Sequence, residues 1–134
     1  MATLNPYLVF NGNTREAMEF YHKALGGKLN IMPFGEFNQD IPKEQANLVM
    51  HAHLQTTTMT LMASDSQPNE PSKHGDNVTL MLYFDDTEEQ KKLFGALAEG
   101  GKIVMPLQDT FWNAIYGQLV DKFGIIWQFN YDKP

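Results

Sequence analysis

The sequence predicts an α+β fold built from one β-α-β-β-β unit used twice. Two observations carry that expectation. Gly26-Gly27-Lys28 stands after an amphipathic helical stretch and before a run of strand formers, and Gly100-Gly101-Lys102 repeats the same arrangement later in the chain. Each copy is preceded by one apolar run and followed by two more beyond the first strand. Length adds a constraint: 134 residues are enough for one domain. Half that number buries too little surface to be secure alone, so each unit is expected to need the other.

In the first unit, residues 4–10 form an apolar run that reads as a strand, ended by Asn11-Gly12-Asn13. Asn13 is placed to cap a helix, with Glu16 at the capping-box spacing. Ala17, Phe20, Tyr21 and Ala24 recur at helical spacing, and Gly26-Gly27 stops the helix. Residues 28–34 follow as a strand. Residues 35–46 read as a loop with room for a short helix. Residues 48–55 and 58–64 read as a hairpin around Thr56-Thr57.

The second unit repeats the order. Residues 78–84 are rich in branched and aromatic side chains and read as a strand. Asp86 and Glu89 offer a second cap and box, and Leu93, Phe94 and Leu97 supply the apolar helix face. After Gly100-Gly101 comes a strand over residues 102–105. Pro33 and Pro106 are expected to close their strands, where a missing N–H does least harm. Residues 116–121 and 125–130 form the last pair, joined through Lys122-Phe123-Gly124. The modules then span residues 1–65 and 77–134 of a single domain, with residues 66–76 as a Pro-, Ser- and Asn-containing linker.

Composition narrows the function classes. A net charge of −6 with scattered basic residues argues against nucleic acid as a partner. There is no cysteine, which removes disulfides, thiolate nucleophiles and thiolate metal sites. The first residues lack a charged start and an apolar core, so no signal peptide is expected. No apolar run reaches the ~20 residues that cross a bilayer. The expectation is a cytoplasmic protein with no membrane partner. No glycine-rich turn follows a first strand, and no phosphate-binding loop or Gly-x-Ser-x-Gly elbow occurs, so the residues do not support nucleotide-fold methyl transfer or serine-esterase chemistry.

Several stretches together resemble the vicinal oxygen chelate superfamily of glyoxalases, bleomycin-binding proteins and extradiol dioxygenases. More narrowly, they are similar to its PhnB-like, 3-demethylubiquinone methyltransferase-like branch. They are Pro6-Tyr7-Leu8 with Phe10-Asn11-Gly12-Asn13, Phe34-Gly35-Glu36, Met50-His51-Ala52, Leu61-Met62 with Ser64-Asp65, residues 105–112, and Asp121-Lys122-Phe123-Gly124 with Trp127 and Asn130. The resemblance implies a cupped, mostly antiparallel eight-stranded sheet with helices on its convex side and a ligand in the concave side. It also implies a homodimer.

Metal-dependent relatives hold their ion at positions that fall here near Pro6, Met62, Thr79 and Gln128. A proline, a thioether, a hydroxyl and a neutral amide are poor ligands for zinc, nickel or iron, so no metal and no cofactor is expected there. His51 and His53 alternate onto one strand face, which the hairpin shares with Thr60 or Met62. They are candidates for acid–base work, with Glu36 as a third polar partner, or for ligand contact, or for a divalent metal in a non-standard place. With Leu48, Met50, Ala52 and Leu54, the opposite face is expected to pack under a helix. The ligand wall is expected from Thr60, Met62, Thr79, Met81, Tyr83, Phe111, Trp112, Gln128 and Asn130, with Trp127 in the core; packing in a core or dimer interface is the alternative for the aromatic residues. Two functions stay open: a small-molecule-binding protein without the standard metal, and a lyase-, isomerase- or dioxygenase-type enzyme working through His51 and His53.

Overall fold

A computed structural model describes residues 1–134 and shows eight strands in two four-stranded sheets, with three helices. The chain divides into two compact units, Met1–Lys73 and His74–Pro134. Each repeats β-α-β-β-β, although the first inserts a short helix α2 (Phe34–Phe37) and a 3-10 turn at Lys43–Gln45 between its second and third strands.

In the first unit the strands are β1 (Tyr7–Phe10), β2 (Lys28–Pro33), β3 (Val49–Gln55) and β4 (Thr60–Asp65), in the sheet order β1-β4-β3-β2. β1 runs parallel to β4, while β3 is antiparallel to both its neighbours. Helix α1 (Thr14–Leu25) buries Thr14, Ala17, Met18 and Tyr21 against one face. Phe10, Ala52, Leu54, Leu61 and Ala63 complete this core, each large apolar side chain contributing about 1.5–3 kcal/mol by leaving water.

The start of α1 departs from the local expectation. Asn13 makes no side-chain cap. Asp65, from the far end of β4, does the work instead: its Oδ1 accepts from Gly12 N (3.0 Å), Thr14 N (3.1 Å) and Thr14 Oγ1 (2.7 Å). Its Oδ2 accepts from Val49 N (2.8 Å), tying the start of β3 to the same carboxylate. Two further corrections follow from pairing. β1 begins at Tyr7 rather than residue 4, because its ladder with β4 opens at Met62; Leu4 is left 98% exposed. Met50 is only half-buried, because a register shift between Met32 and Pro33 hands the core position to Val49.

The second unit has β5 (Leu80–Phe84), β6 (Lys102–Asp109), β7 (Ala114–Val120) and β8 (Ile126–Asp132), in the equivalent order β5-β8-β7-β6. Helix α3 (Thr87–Ala98) packs Gln90, Leu93, Phe94 and Leu97 on the sheet. Here the local cap forms as expected, with Asp86 Oδ2 accepting from Glu89 N at 3.1 Å. Pro106 does not close its strand. β6 continues to Asp109 through register shifts around Met105–Gln108, which an edge strand tolerates because no outer neighbour needs the missing N–H.

The recurring Gly-Gly has a common steric cause. The second glycine of each pair lies against the end of the third strand of its unit, and an added Cβ would collide with the carbonyl oxygen of Gln55 at Gly27 and of Val120 at Gly101. Gly26, Gly27 and Gly100 also have φ values of 78°, 86° and 74°, which side chains with a Cβ rarely adopt.

Removing the Asp65 carboxylate strands several buried donors at once. Asp65→Ala is expected to cost about 3–5 kcal/mol and Asp65→Asn less, since the amide keeps one acceptor; denaturant unfolding measures both.

Candidate functional site

Strand register places the polar side chains of the first sheet, apart from Asp65, on the face turned away from α1. Met62 pairs with Tyr7 on one side and His53 on the other, and His53 pairs onward with Asn30. The turn length is settled: Thr56 N bonds Met59 O at 2.9 Å, so His53 stands opposite Met62 and not Thr60. Thr60 pairs with Gln55 and donates to its Oε1 at 3.1 Å.

His51 and His53 share this face as their spacing requires. Their rings are 6.2 Å apart at 49°. Tyr7 Oη lies 3.1 Å from His51 Nδ1, with ring centroids at 5.6 Å. When the phenol donates to Nδ1, the imidazole carries its hydrogen on Nε2 and offers it as a donor. Tyr7 was not among the sequence-derived site residues. Its alternation with Val9 placed it on a face, but only the parallel β1–β4 register brings it to His51. Glu36 sits exposed on α2 (Phe34–Phe37), and no hydrogen bond or ion pair ties it to either histidine.

The second sheet arranges a different chemistry on its equivalent face. Met81 pairs with Gln128 and Tyr83 with Asn130, while β7 sets Gln118 against Gln128 and Tyr116 against Asn130. Tyr116 donates to Gln128 Oε1, and Gln128 Nε2 donates to Thr79 Oγ1 at 2.6 Å. Gln118 Oε1 also lies 3.4 Å from the Tyr116 hydroxyl. Asn130 is buried and donates to Asp132 Oδ1 at 2.8 Å. Trp127 is core, its indole N–H held by Asp121 Oδ2 at 2.8 Å. Tyr116 and Gln118 complete this network; the sequence alone gave their strand but not their partners.

Beside this network the β6–β7 loop presents an aromatic pair. Thr110 closes the loop, its N and Ala114 O lying 3.0 Å apart. Phe111 is 96% exposed and meets Trp112 edge-on, with centroids at 4.9 Å; Trp112 in turn lies 5.9 Å from Tyr116. The loop thus carries a half-exposed indole toward the tyrosine of the polar chain.

Matching the two registers shows how the duplicate units have diverged. Tyr7 and Met62 correspond to Met81 and Gln128, and His53 and His51 correspond to Gln118 and Tyr116. The first unit has imidazoles where the second has a phenol and an amide.

Pro6, Met62, Thr79 and Gln128, where the resemblance implies a metal, offer neither imidazole nor carboxylate. In the first unit Pro6 offers only its backbone oxygen, which accepts from Met62 N at 3.2 Å. In the second, Thr79 and Gln128 bond each other, and Tyr116 occupies the amide oxygen. No three His, Cys, Asp or Glu residues gather into a set of ligands.

A family model described as 3-demethylubiquinone-9 3-methyltransferase matches residues 2–130. Protein YjdN of Escherichia coli K12 is 33% identical, the match covering 95% of this chain and 93% of that protein. Among solved structures, protein PA1353 from Pseudomonas aeruginosa is 41% identical with a TM-score of 0.88, and the match covers 100% of both chains. A putative 3-demethylubiquinone-9 3-methyltransferase, PhnB protein, from Bacillus cereus is 26% identical with a TM-score of 0.78, covering 97% of this chain and 99% of that one. The fold alone is shared with a glyoxalase/bleomycin resistance protein/dioxygenase family enzyme from Burkholderia phytofirmans PsJN, at 17% identity and a TM-score of 0.60 over 95% and 97% of the two chains.

Burial raises the proton affinity of the Tyr116 phenol above its ordinary value of 10.0. The unfolded chain therefore ionises first: stability linked to this group is intact below the ordinary tyrosine range and is lost as pH climbs through the native value. A difference titration of phenolate absorbance between the protein and Tyr116→Phe is expected to show the missing group titrating late.

Proposed function

The chain belongs to the 3-demethylubiquinone-9 3-methyltransferase family, in its PhnB-like branch with the glyoxalase/bleomycin resistance fold, and from that premise we propose that it binds small organic molecules on the helix-free face of each sheet. One observation carries the reading. The second sheet sets a chain of neutral hydrogen-bonding groups, Tyr116, Gln128 and Thr79, beside a half-exposed indole, Trp112. An apolar wall with a few convergent polar groups is what small-molecule sites present. The donor set at the family's metal positions supports binding that needs no ion there. The family's printed description names methyl transfer, but neither four-stranded sheet is the doubly wound parallel sheet with a glycine-rich turn that the usual methyltransferases use.

A thermal-shift screen tests this, since a ligand that binds only the native state raises the melting temperature. Trp112→Ala and Gln128→Ala are each expected to weaken a hit by about tenfold, which is about 1.4 kcal/mol. A hit indifferent to both would overturn the assignment.

The hydrogen bond between Tyr7 and His51 favours a second reading, acid–base catalysis at the first sheet. Turnover of a hit that disappears in His51→Ala or His53→Ala while binding persists selects that reading over simple sequestration.

No helix is long and apolar enough to cross a membrane. We take a cytoplasmic homodimer with no nucleic-acid partner as part of the same proposal. The cysteine-free composition and net charge of −6 support the first and last terms. The edge strand β6, which exposes Ile103, Val104 and Met105, supports the second. Sedimentation equilibrium is expected to return twice the chain mass, and Val104→Lys to shift it toward the monomer.

A further inference from the structure

The helix-free face of the first sheet has a charge pattern unlike the chain as a whole. The four strands contain a single carboxylate, Asp65, and that one is buried on the α1 side among backbone N–H donors. The ionisable groups on the helix-free face are Tyr7 from β1, Lys28 from β2, and His51 and His53 from β3; β4 contributes none. None of these side chains is a carboxylate, within a chain whose net charge is −6.

We infer that this face, read above as binding a small organic molecule, takes that molecule through an anionic group, a carboxylate or phosphoryl oxyanion. The inference rests on the binding reading and adds the ligand's chemical class. Three features carry it. The donors are set side by side: His53 pairs with Asn30, and Lys28 follows two residues along β2 on the same face, paired with Gln55. Directly paired side chains stand about 5 Å apart, a span that the oxygens of one carboxylate or phosphoryl group can bridge. Tyr7 Oη lies 3.1 Å from His51 Nδ1; when the phenol donates, Nε2 carries the ring hydrogen and is a further donor. No negative side chain on the sheet competes. Glu36, on α2 just beyond β2, is exposed and makes no ion pair with the histidines.

The test is a titration of isotopically labelled protein with sodium benzoate and with inorganic phosphate at constant ionic strength and pH, following the backbone amide resonances of β2 and β3 by NMR. The expected result is a saturable shift of the amides around Lys28, Asn30, His51 and His53. It is lost in the His51→Gln, His53→Gln double variant and weakened in Lys28→Gln, which changes only an exposed side chain. A preference for benzoate assigns a carboxylate, and a preference for phosphate a phosphoryl group. Benzamide, the uncharged counterpart of benzoate, separates the two levels of the argument. Benzamide binding as tightly as benzoate, or amide shifts that survive in the double variant, would overturn the anion site and leave the binding reading standing. If neither anion shifts these amides, the anion site fails; if the thermal-shift screen also yields no hit, the binding reading fails with it.

Discussion

Two oxygens of one buried carboxylate set the geometry of the first unit. Asp65 gathers the start of α1, the start of β3 and the end of β4 into one hydrogen-bonded knot, with donors 51 and 16 residues away in sequence. Because Asp65 faces the helix, alternation sends Ser64 and Met62 to the other side, and antiparallel pairing sends His53 with them. A one-residue slip would exchange the two faces, burying imidazoles and exposing Leu54 and Leu61. The carboxylate that closes the core therefore also decides which side of the sheet carries chemistry. In the second unit Asp121 has a comparable task at the β7–β8 turn, accepting from Phe123 N, Ile125 N and the Trp127 indole.

What could be read from the sequence was what local spacing controls. Asp86 and Glu89 lie three residues apart and form the cap that spacing promised. The two histidines share a face because strand alternation has a period of two. The repeated Gly-Gly marks the same joint in both halves, since each second glycine must pass close to a backbone carbonyl. What escaped was set by pairing across distance. Asn13 looked like a cap and lost that role to a residue at the far end of the unit. Met50 fell out of the core through a register shift that its own neighbours do not announce. Pro106 looked like a stop, yet an edge strand let β6 continue past it.

The candidate site follows the same division. Residue types on each face were legible, but their partners were not. Nothing near residue 7 indicates that its phenol meets His51, and nothing near residue 116 indicates that its hydroxyl meets Gln128. Both contacts depend on strand neighbours fixed only when the sheet forms. The equivalent faces of the two units present different characters, imidazoles in one and neutral amides beside aromatic rings in the other.

The parallel pairing of β1 with β4 also bears on the order of assembly. β3 can zip to β4 across a four-residue turn, but β1 must find a partner more than fifty residues along the chain. Such a contact carries a larger loop-closure entropy, so it is expected to form late. Tyr7 therefore meets His51 only after the rest of the sheet is in place. A half-folded chain would carry both imidazoles without the phenol that orients one of them, and the first unit acquires its distinctive donor only with the last strand to dock.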